Sequence, residues 1–323
     1  MADVSLERSL RNAEPALRDA FLTMVAAMKG AVNLSSLAVL LQQGRIEEAL
    51  AEALSAAPMM GRAATGQIID AANDVAKQIG RSLGQIVIDF DQTNEFAVQA
   101  MRNNQLRLIQ GFTRQQIEAT REALLDGIRR GANPREQALA FRNSIGLTRN
   151  QVRAVNNFRR ALEEGNLDAL TRQLRDRRFD PTIRRAIESG KPLSQRQIDK
   201  MVDRYRERWI RHRSQVIART EALRSVHEGN SLMFRQAIES GQLDPTTIEQ
   251  EWNTAADERV RGSHSTMHGQ TIGVNELFVS GKGNVAPFPG AFGVAEEDIQ
   301  CRCAVGTRIK SLSIAGNIQA EIL

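Results

Sequence analysis

The chain reads as a mainly α protein, helical through its N-terminal and middle regions, that closes in a small C-terminal α+β domain. Three observations predict this. Aromatic residues make up only 4% of the 323 positions and Pro occurs 8 times, a composition that suits long helices better than a sandwich or barrel. Apolar residues recur at three- and four-residue steps as far as Ser240, between explicit start and stop signals. Past Gly241 the pattern changes to short β-prone runs separated by Gly-rich turns. The expected organisation is a helical region over 1–110, a basic helical region over 111–193, and a domain over 194–323 made of a long helix and the α+β module.

Residues 1–110 are rich in Ala, Leu and Gln and carry the weakest signals. The clearest break is "AAPMMGRAATG", Ala56 to Gly66, and "GQIVIDFDQTN" reads equally as a short strand or as more helix. Four later segments open with a capping pattern, in which a short polar side chain accepts an orphan amide and an acceptor three residues on reaches back. They begin at Thr113 ("TRQQ"), Asn133 ("NPRE", with Pro134 suited to the first turn), Thr148 ("TRNQ") and Ser194 ("SQRQ"). Three segments close alike near Gly165, Gly190 and Gly241, where Gly takes the left-handed turn and a following Leu seals the end. The spacing of these three ends is unequal, which marks recurrent helix-end chemistry rather than a solenoid repeat. From Ser194 to Ser240, residues Ile198, Met201, Tyr205, Trp209, Val216, Thr220, Leu223 and His227 form one stripe. A continuous helix there is about 70 Å long at 1.5 Å per residue, with Gly229 as its expected break.

The α+β module divides into four pieces. "TTIEQEWNT" alternates and is β-branched, hence a strand. "TAADERVRGSHSTMHG" makes one or two helical turns, with Thr254 as cap and Gly269 as stop. "GQTIGVNELFVSGKGNVAPFPGAFG" makes loop and hairpin, and "CRCAVGTRI" a closing strand.

Charge and cysteine content narrow the function classes. The net charge of +5 is concentrated in residues 142–235, which hold 22 Lys and Arg against 11 Asp and Glu, nearly all of the cations being Arg. Such a stripe meets phosphate or an acidic protein surface, or is a solvated helical face balanced by its neighbours. The longest apolar run is "LAVLL", Leu37 to Leu41, far short of the roughly 20 residues of a membrane span. Asp3 and Glu7 stand where a secretory signal carries positive charge, so a reducing cytoplasm is the expected site of synthesis. The 2 Cys, one residue apart, are not a disulfide framework.

The chemistry-bearing residues cluster near the C-terminus. His264 and His268 are four apart and share a face if helical, while Cys301 and Cys303 share a face if extended. Two His and two Cys match zinc's ligand preferences, so these four are the candidate metal ligands. Against that stand the short Cys spacing, Gly262 beside the helix, and the readiness of Cys to serve as plain core. Asp257, Glu258, His264 and Cys301 offer an acid, a base and a nucleophile, yet nothing spaces them as a nucleophile elbow or metal-hydrolase helix. No catalytic residue and no organic cofactor is assigned.

"IARTEALRSVHEGN" from Ile217, "EWNTAADERVRGSHSTMHGQTI" and "PFPGAFGVAEEDIQCRC" together resemble the head-morphogenesis family of tailed phages typified by the F protein of phage Mu. The matching positions are Arg219, Thr220, Glu221, Trp252, Thr254, Asp257, Arg259, His264, Gly269, Cys301, Arg302 and Cys303. His268 is less typical of that pattern than His264. The resemblance implies a minor virion protein, associated with the portal vertex or the head interior and made in the host cytoplasm during assembly. Its implied partners are the portal protein, the major capsid protein, packaged double-stranded DNA and further copies of itself, with no membrane. Two rivals stay open: a DNA-binding internal ejection protein, and an enzyme, since similar modules are fused to toxins. Within the module, Arg219, Glu221, Asp257, Arg259 and Arg302 are expected to form a polar network joining helix, loop and strand, because buried charges need partners.

Overall fold

A computed structural model describes residues 4–45, 47–48, 51, 54, 57–82, 89–310, 312–313 and 319–320. Among the described residues, eight α-helices precede the first strand: α1 (Val4–Ala31), α2 (Leu34–Gln42), α3 (Pro58–Ser82), α4 (Glu95–Arg129), α5 (Pro134–Ser144), α6 (Arg149–Glu163), α7 (Asp180–Ser189) and α8 (Gln195–Glu239). The chain gathers into two compact units that interleave in sequence. One comprises Met1–Asp19, Gly61–Leu106 and Val216–Leu323, the other Ala20–Met60 and Arg107–Gln215, so α1, α3, α4 and α8 contribute to both.

Most expected helix ends are where the local chemistry puts them. Asn133 and Thr148 each close a reciprocal capping box, with Glu136 and Gln151 respectively. Ser194 does the same with Gln197: Ser194 N donates to Gln197 Oε1 at 2.9 Å and Gln197 N donates to Ser194 Oγ at 3.4 Å. Gly165, Gly190 and Gly241 all have positive φ just past α6, α7 and α8. Thr113 differs, because α4 runs straight through it. A capping side chain acts only where the chain before it leaves the helix, and Phe112 is instead held in the helix, buried edge-on against Phe21 at 6.1 Å. Of the proposed break at 56–66, Ala56 lies outside the described residues, Ala57 is in a turn, and α3 starts at Pro58 and continues through Gly61 and Gly66. Residues 84–88 of "GQIVIDFDQTN" also lie outside the described residues.

The unit formed by 20–60 and 107–215 is helical. Its core includes Phe21, Met28, Phe141, Phe158, Ile198 and Tyr205, and α2 packs on α5. Arg213 is buried there over the rings of Phe21 and Phe112, 5.6 and 5.4 Å from their centroids, and donates to Gln115 Oε1 at 2.5 Å. Burial pushes its pKa down to about 10.

In the other unit, α8 does not break at Gly229. A Cβ at that position would lie 2.3 Å from Ile68 O and 2.9 Å from Ala71 Cβ and Ala72 N, so this glycine lets α3 approach the α8 backbone. Around the contact sits a core of Ile68, Ala72, Val75, Ala97, Met233 and Ala237. The α+β module follows: β1 (Ile248–Asn253), α9 (Gly262–Ser265), β2 (Thr271–Gly273), β3 (Phe278–Val279), β4 (Val285–Ala286), α10 (Ala295–Asp298), β5 (Ala304–Ile309), β6 (Leu312–Ser313) and β7 (Gln319–Ala320). β1 is the centre of an antiparallel sheet ordered β2-β1-β5, with Gln250 opposite Ile272 and Trp252 opposite Val305. β3 and β4 form the expected hairpin. Along β1, Ile248 and Trp252 are the buried positions, so the strand turns these large side chains to one face.

Candidate functional site

Trp252 is wholly buried and anchors the second core of this unit with Leu223, Met267, Phe278, Phe288, Cys301, Cys303 and Val305. Its ring meets Phe278 at 5.1 Å and Phe292 at 5.8 Å and stands edge-on to His264 at 5.8 Å, and Phe292 in turn stacks on the imidazole at 5.5 Å. The imidazole is thereby fixed in plane and position, at 1% exposure.

Both cysteine sulfurs converge on it. Cys301 Sγ and Cys303 Sγ each lie 3.5 Å from His264 Nδ1. The pair does not sit within a strand, since β5 begins at Ala304. A turn with Gln300 at φ +55° delivers both sulfurs to the same side. Both are free thiols and buried. Among the described residues, His264, Cys301 and Cys303 form a group whose ligand atoms all lie within 4.8 Å of one another. His268 is not in it. Helix α9 stops at Ser265, so the four-residue spacing does not return the side chain to the same face. Met267 turns inward instead, and the exposed His268 accepts from Thr254 N through Nδ1 at 3.2 Å.

The other imidazole nitrogen faces a residue that the sequence reading missed. His264 Nε2 lies 2.8 Å from Glu297 Oε2, a charge contact off the ring's N–H axis. Glu297 is itself wholly buried on α10 and accepts from Ser263 Oγ at 2.8 Å, Ser280 Oγ at 3.1 Å and Asn284 Nδ2 at 3.2 Å. Burial disfavours its charge, but these three donors and the imidazole hold its pKa below the usual range. Burial also disfavours the imidazolium, yet the bond to Cys301 and the nearby anions outweigh that and raise the pKa of His264. The Cys303 thiol, helped by His264 and against desolvation, draws the Cys301 pKa down, while the neighbouring Cys301 and burial push that of Cys303 up.

The proposed polar network is assembled only in part. Asp257 and Arg302 pair as a fork, with Arg302 NH1 donating to Asp257 Oδ2 at 2.5 Å and NH2 to Oδ1. Arg259 contributes its backbone N–H to Asp257 Oδ1 at 3.0 Å while its side chain is exposed. Arg219 is exposed, and Glu221 is buried on α8. The residue of the "RTE" triplet that ties the helix to the cysteine turn is the middle one: Gln300 N donates to Thr220 Oγ1 at 3.0 Å. Arg224 adds a second tie, donating to Gly290 O at 2.9 Å. Glu297 and Arg224 had no signal in spacing, and Thr220 was read only as part of the helix stripe and the family pattern, since each acts on a residue brought close only by the fold.

Residues 177–306 match the family described as Phage Mu protein F like protein. That segment belongs to the Mu F-like family. Two curated relatives share part of the chain. One is the "Minor head protein GP7" of Bacillus phage SPP1, 31% identical over 93 residues, 29% of each chain. The other is the "NAD(+)--arginine ADP-ribosyltransferase EFV" of Enterococcus faecalis, 33% identical over 103 residues, 30% of this chain and 20% of that protein. The chain thus spans less than a third of the length of either relative. No solved structure matches it. The Mu F-like segment contains the whole His264–Cys301–Cys303 group, the Asp257–Arg302 pair and β1, and ends within β5.

Proposed function

We propose that this chain is a minor head protein of a tailed phage or prophage that works by binding during head assembly. In this reading the Mu F-like module is a rigid body, and the helices ahead of it engage the portal protein, the major capsid protein or further copies of the chain. The protein is made in the host cytoplasm and ends in the virion, at the portal vertex or inside the head. The observation that carries the reading is the family match over 177–306, together with the minor head protein of phage SPP1 among its relatives. The burial of His264, Cys301, Cys303 and Glu297 supports it, because polar groups packed inside a core hold a module together rather than meet a substrate. Among the described residues, no single helix is long and apolar enough to cross a membrane, although α1 from Arg8 and α2 pass that test jointly across a 69° bend.

The arginine excess supports a role in packaging or ejection less strongly. Much of it is used within the fold: Arg159 pairs with Asp199 at 2.7 Å, Arg175 with Asp180 at 2.9 Å, Arg178 with Asp176 at 2.6 Å, and Arg149 and Arg153 with Glu122. Arg160, Arg177, Arg184, Arg185, Arg196 and Arg211 are among the exposed cations available to phosphate or an acidic partner. Binding to duplex DNA that falls steeply with salt would assign them to phosphate, through counterion release. A flat response would assign them to protein docking.

Quantitative mass spectrometry of purified virions and procapsids tests the assignment: the chain is expected in at least one of them at low, defined copy number, and absence from both overturns it. The match to the ADP-ribosyltransferase motivates one rival assay. Transfer of ADP-ribose from NAD+ to arginine by the purified chain would replace the binding role with an enzymatic one.

A further inference from the structure

The structure assigns a divalent metal site to His264 Nδ1, Cys301 Sγ and Cys303 Sγ, with Glu297 as the anion that orients the histidine. The ion is a soft or borderline one such as zinc. The assignment concerns the module itself and stands whether or not the chain acts in a phage head.

The first argument is metric. Zinc bonds of about 2.3 Å to sulfur and 2.0–2.1 Å to nitrogen, opened to a tetrahedral angle, place a bound sulfur and nitrogen roughly 3.5–3.6 Å apart. Both sulfurs stand 3.5 Å from the same nitrogen. That distance also fits a thiol hydrogen bond, but Nδ1 has one in-plane lone pair or one proton and cannot satisfy two thiols. A cation between the three atoms satisfies all of them at once.

The second argument is the surroundings. A metal-bound histidine usually gives its other ring nitrogen to a carboxylate, which fixes the tautomer and the ring. Glu297 Oε2 stands 2.8 Å from Nε2, wholly buried, and is itself held by Ser263, Ser280 and Asn284. A proton kept on Nε2 leaves the Nδ1 lone pair facing the sulfurs. A donor also points at a sulfur: Cys303 N donates to Cys301 Sγ at 3.4 Å. Two thiolates neutralise a divalent cation. Among the described residues no fourth His, Cys, Asp or Glu joins the group, so the proposed set is these three. His268, whose Nδ1 is held by Thr254, is not a ligand.

Bound there, the ion would fasten α9 to the turn that feeds β5, two segments separated by 37 residues between His264 and Cys301. This is how a small module with two-residue strands gains rigidity beyond its core.

The test uses the full chain, reduced and with both thiols titratable. Cobalt(II) added to it is expected to give a saturable thiolate-to-cobalt charge-transfer band and tetrahedral d–d bands at one metal per chain. Zinc displaces both, and elemental analysis then finds one zinc per chain. Cys303→Ser and His264→Ala are expected to lose the bands or weaken binding at least tenfold, whereas His268→Ala keeps one metal per chain. The absence of a saturable cobalt band in the folded, reduced wild type overturns the site even if the variants fail to fold. Loss of binding in a folded His268→Ala overturns the three-ligand set.

Discussion

Gly229→Ala is expected to destabilise the unit that carries the Mu F-like module, although the same change in an open helix would stabilise it. Glycine in a helix interior costs about 1 kcal/mol relative to alanine. At Gly229 the added methyl would sit 2.3 Å from Ile68 O and 2.9 Å from Ala72 N, both main-chain atoms. A carbon tolerates a carbonyl oxygen at about 3.3 Å, so α3 must withdraw by roughly 1 Å. Ile68 and Ala72 have no exposure in the native core, so that shift separates packed surfaces all along the contact. Overpacking costs about 1–3 kcal/mol, and a clash with backbone belongs at the upper end. Less the propensity gain, the net loss is about 2 kcal/mol. Urea unfolding followed by far-ultraviolet circular dichroism reads it as a lower midpoint at unchanged slope. Gly66→Ala, on α3 with nothing within 4 Å of the added methyl, is the control and should stabilise by up to about 1 kcal/mol. If both variants were stabilised alike, the close approach of the two helices would be refuted.

Glu297→Gln keeps the shape of the side chain but turns an amide toward Ser263, Ser280 and Asn284, leaving buried donors unmatched. A loss of about 1–3 kcal/mol is expected in thermal or urea unfolding. Asp257 is held at about 2 by Arg302, below its usual 3.8. Its contribution is complete above that usual value and is lost as pH falls from 3.8 toward about 2, so Asp257→Asn should flatten stability against pH in that window. His227, stacked on Phe288 at 6.0 Å, has its pKa lowered from 6.5 to about 4 by burial. Stability is full above pH 6.5 and falls toward pH 4 by roughly 3 kcal/mol, because only the unfolded chain binds the proton there. His227→Leu should remove that slope, and an unchanged slope would refute the burial of the neutral ring.

The division between what was legible and what was not follows the range of the interactions. The helix ends at Asn133, Thr148, Ser194, Gly165, Gly190 and Gly241 could be read because each is settled by side chains or glycine within a few residues of its own backbone. The strand through Trp252 and the β3–β4 hairpin could be read for the same reason, from alternation and turn glycines. Thr113 and Gly229 could not. Both carry a local signal, and in both a distant partner overrides it: Phe21 holds Phe112 in the helix, and the α3 backbone needs the space that Gly229 leaves.

The site divides the same way. Residue types alone brought His264, Cys301 and Cys303 together as candidates, because a chain with 4 His and 2 Cys has few ways to build a sulfur–nitrogen group. His268 was included on helical spacing and excluded by a helix that ends at Ser265. Glu297 was invisible because its contact with His264 spans 33 residues and is created only when α9 and α10 pack on one core. The sequence by itself determined which atoms were available and where helices start and stop. Only the tertiary structure decided which of those atoms meet, since contact between remote segments depends on packing that no local pattern encodes.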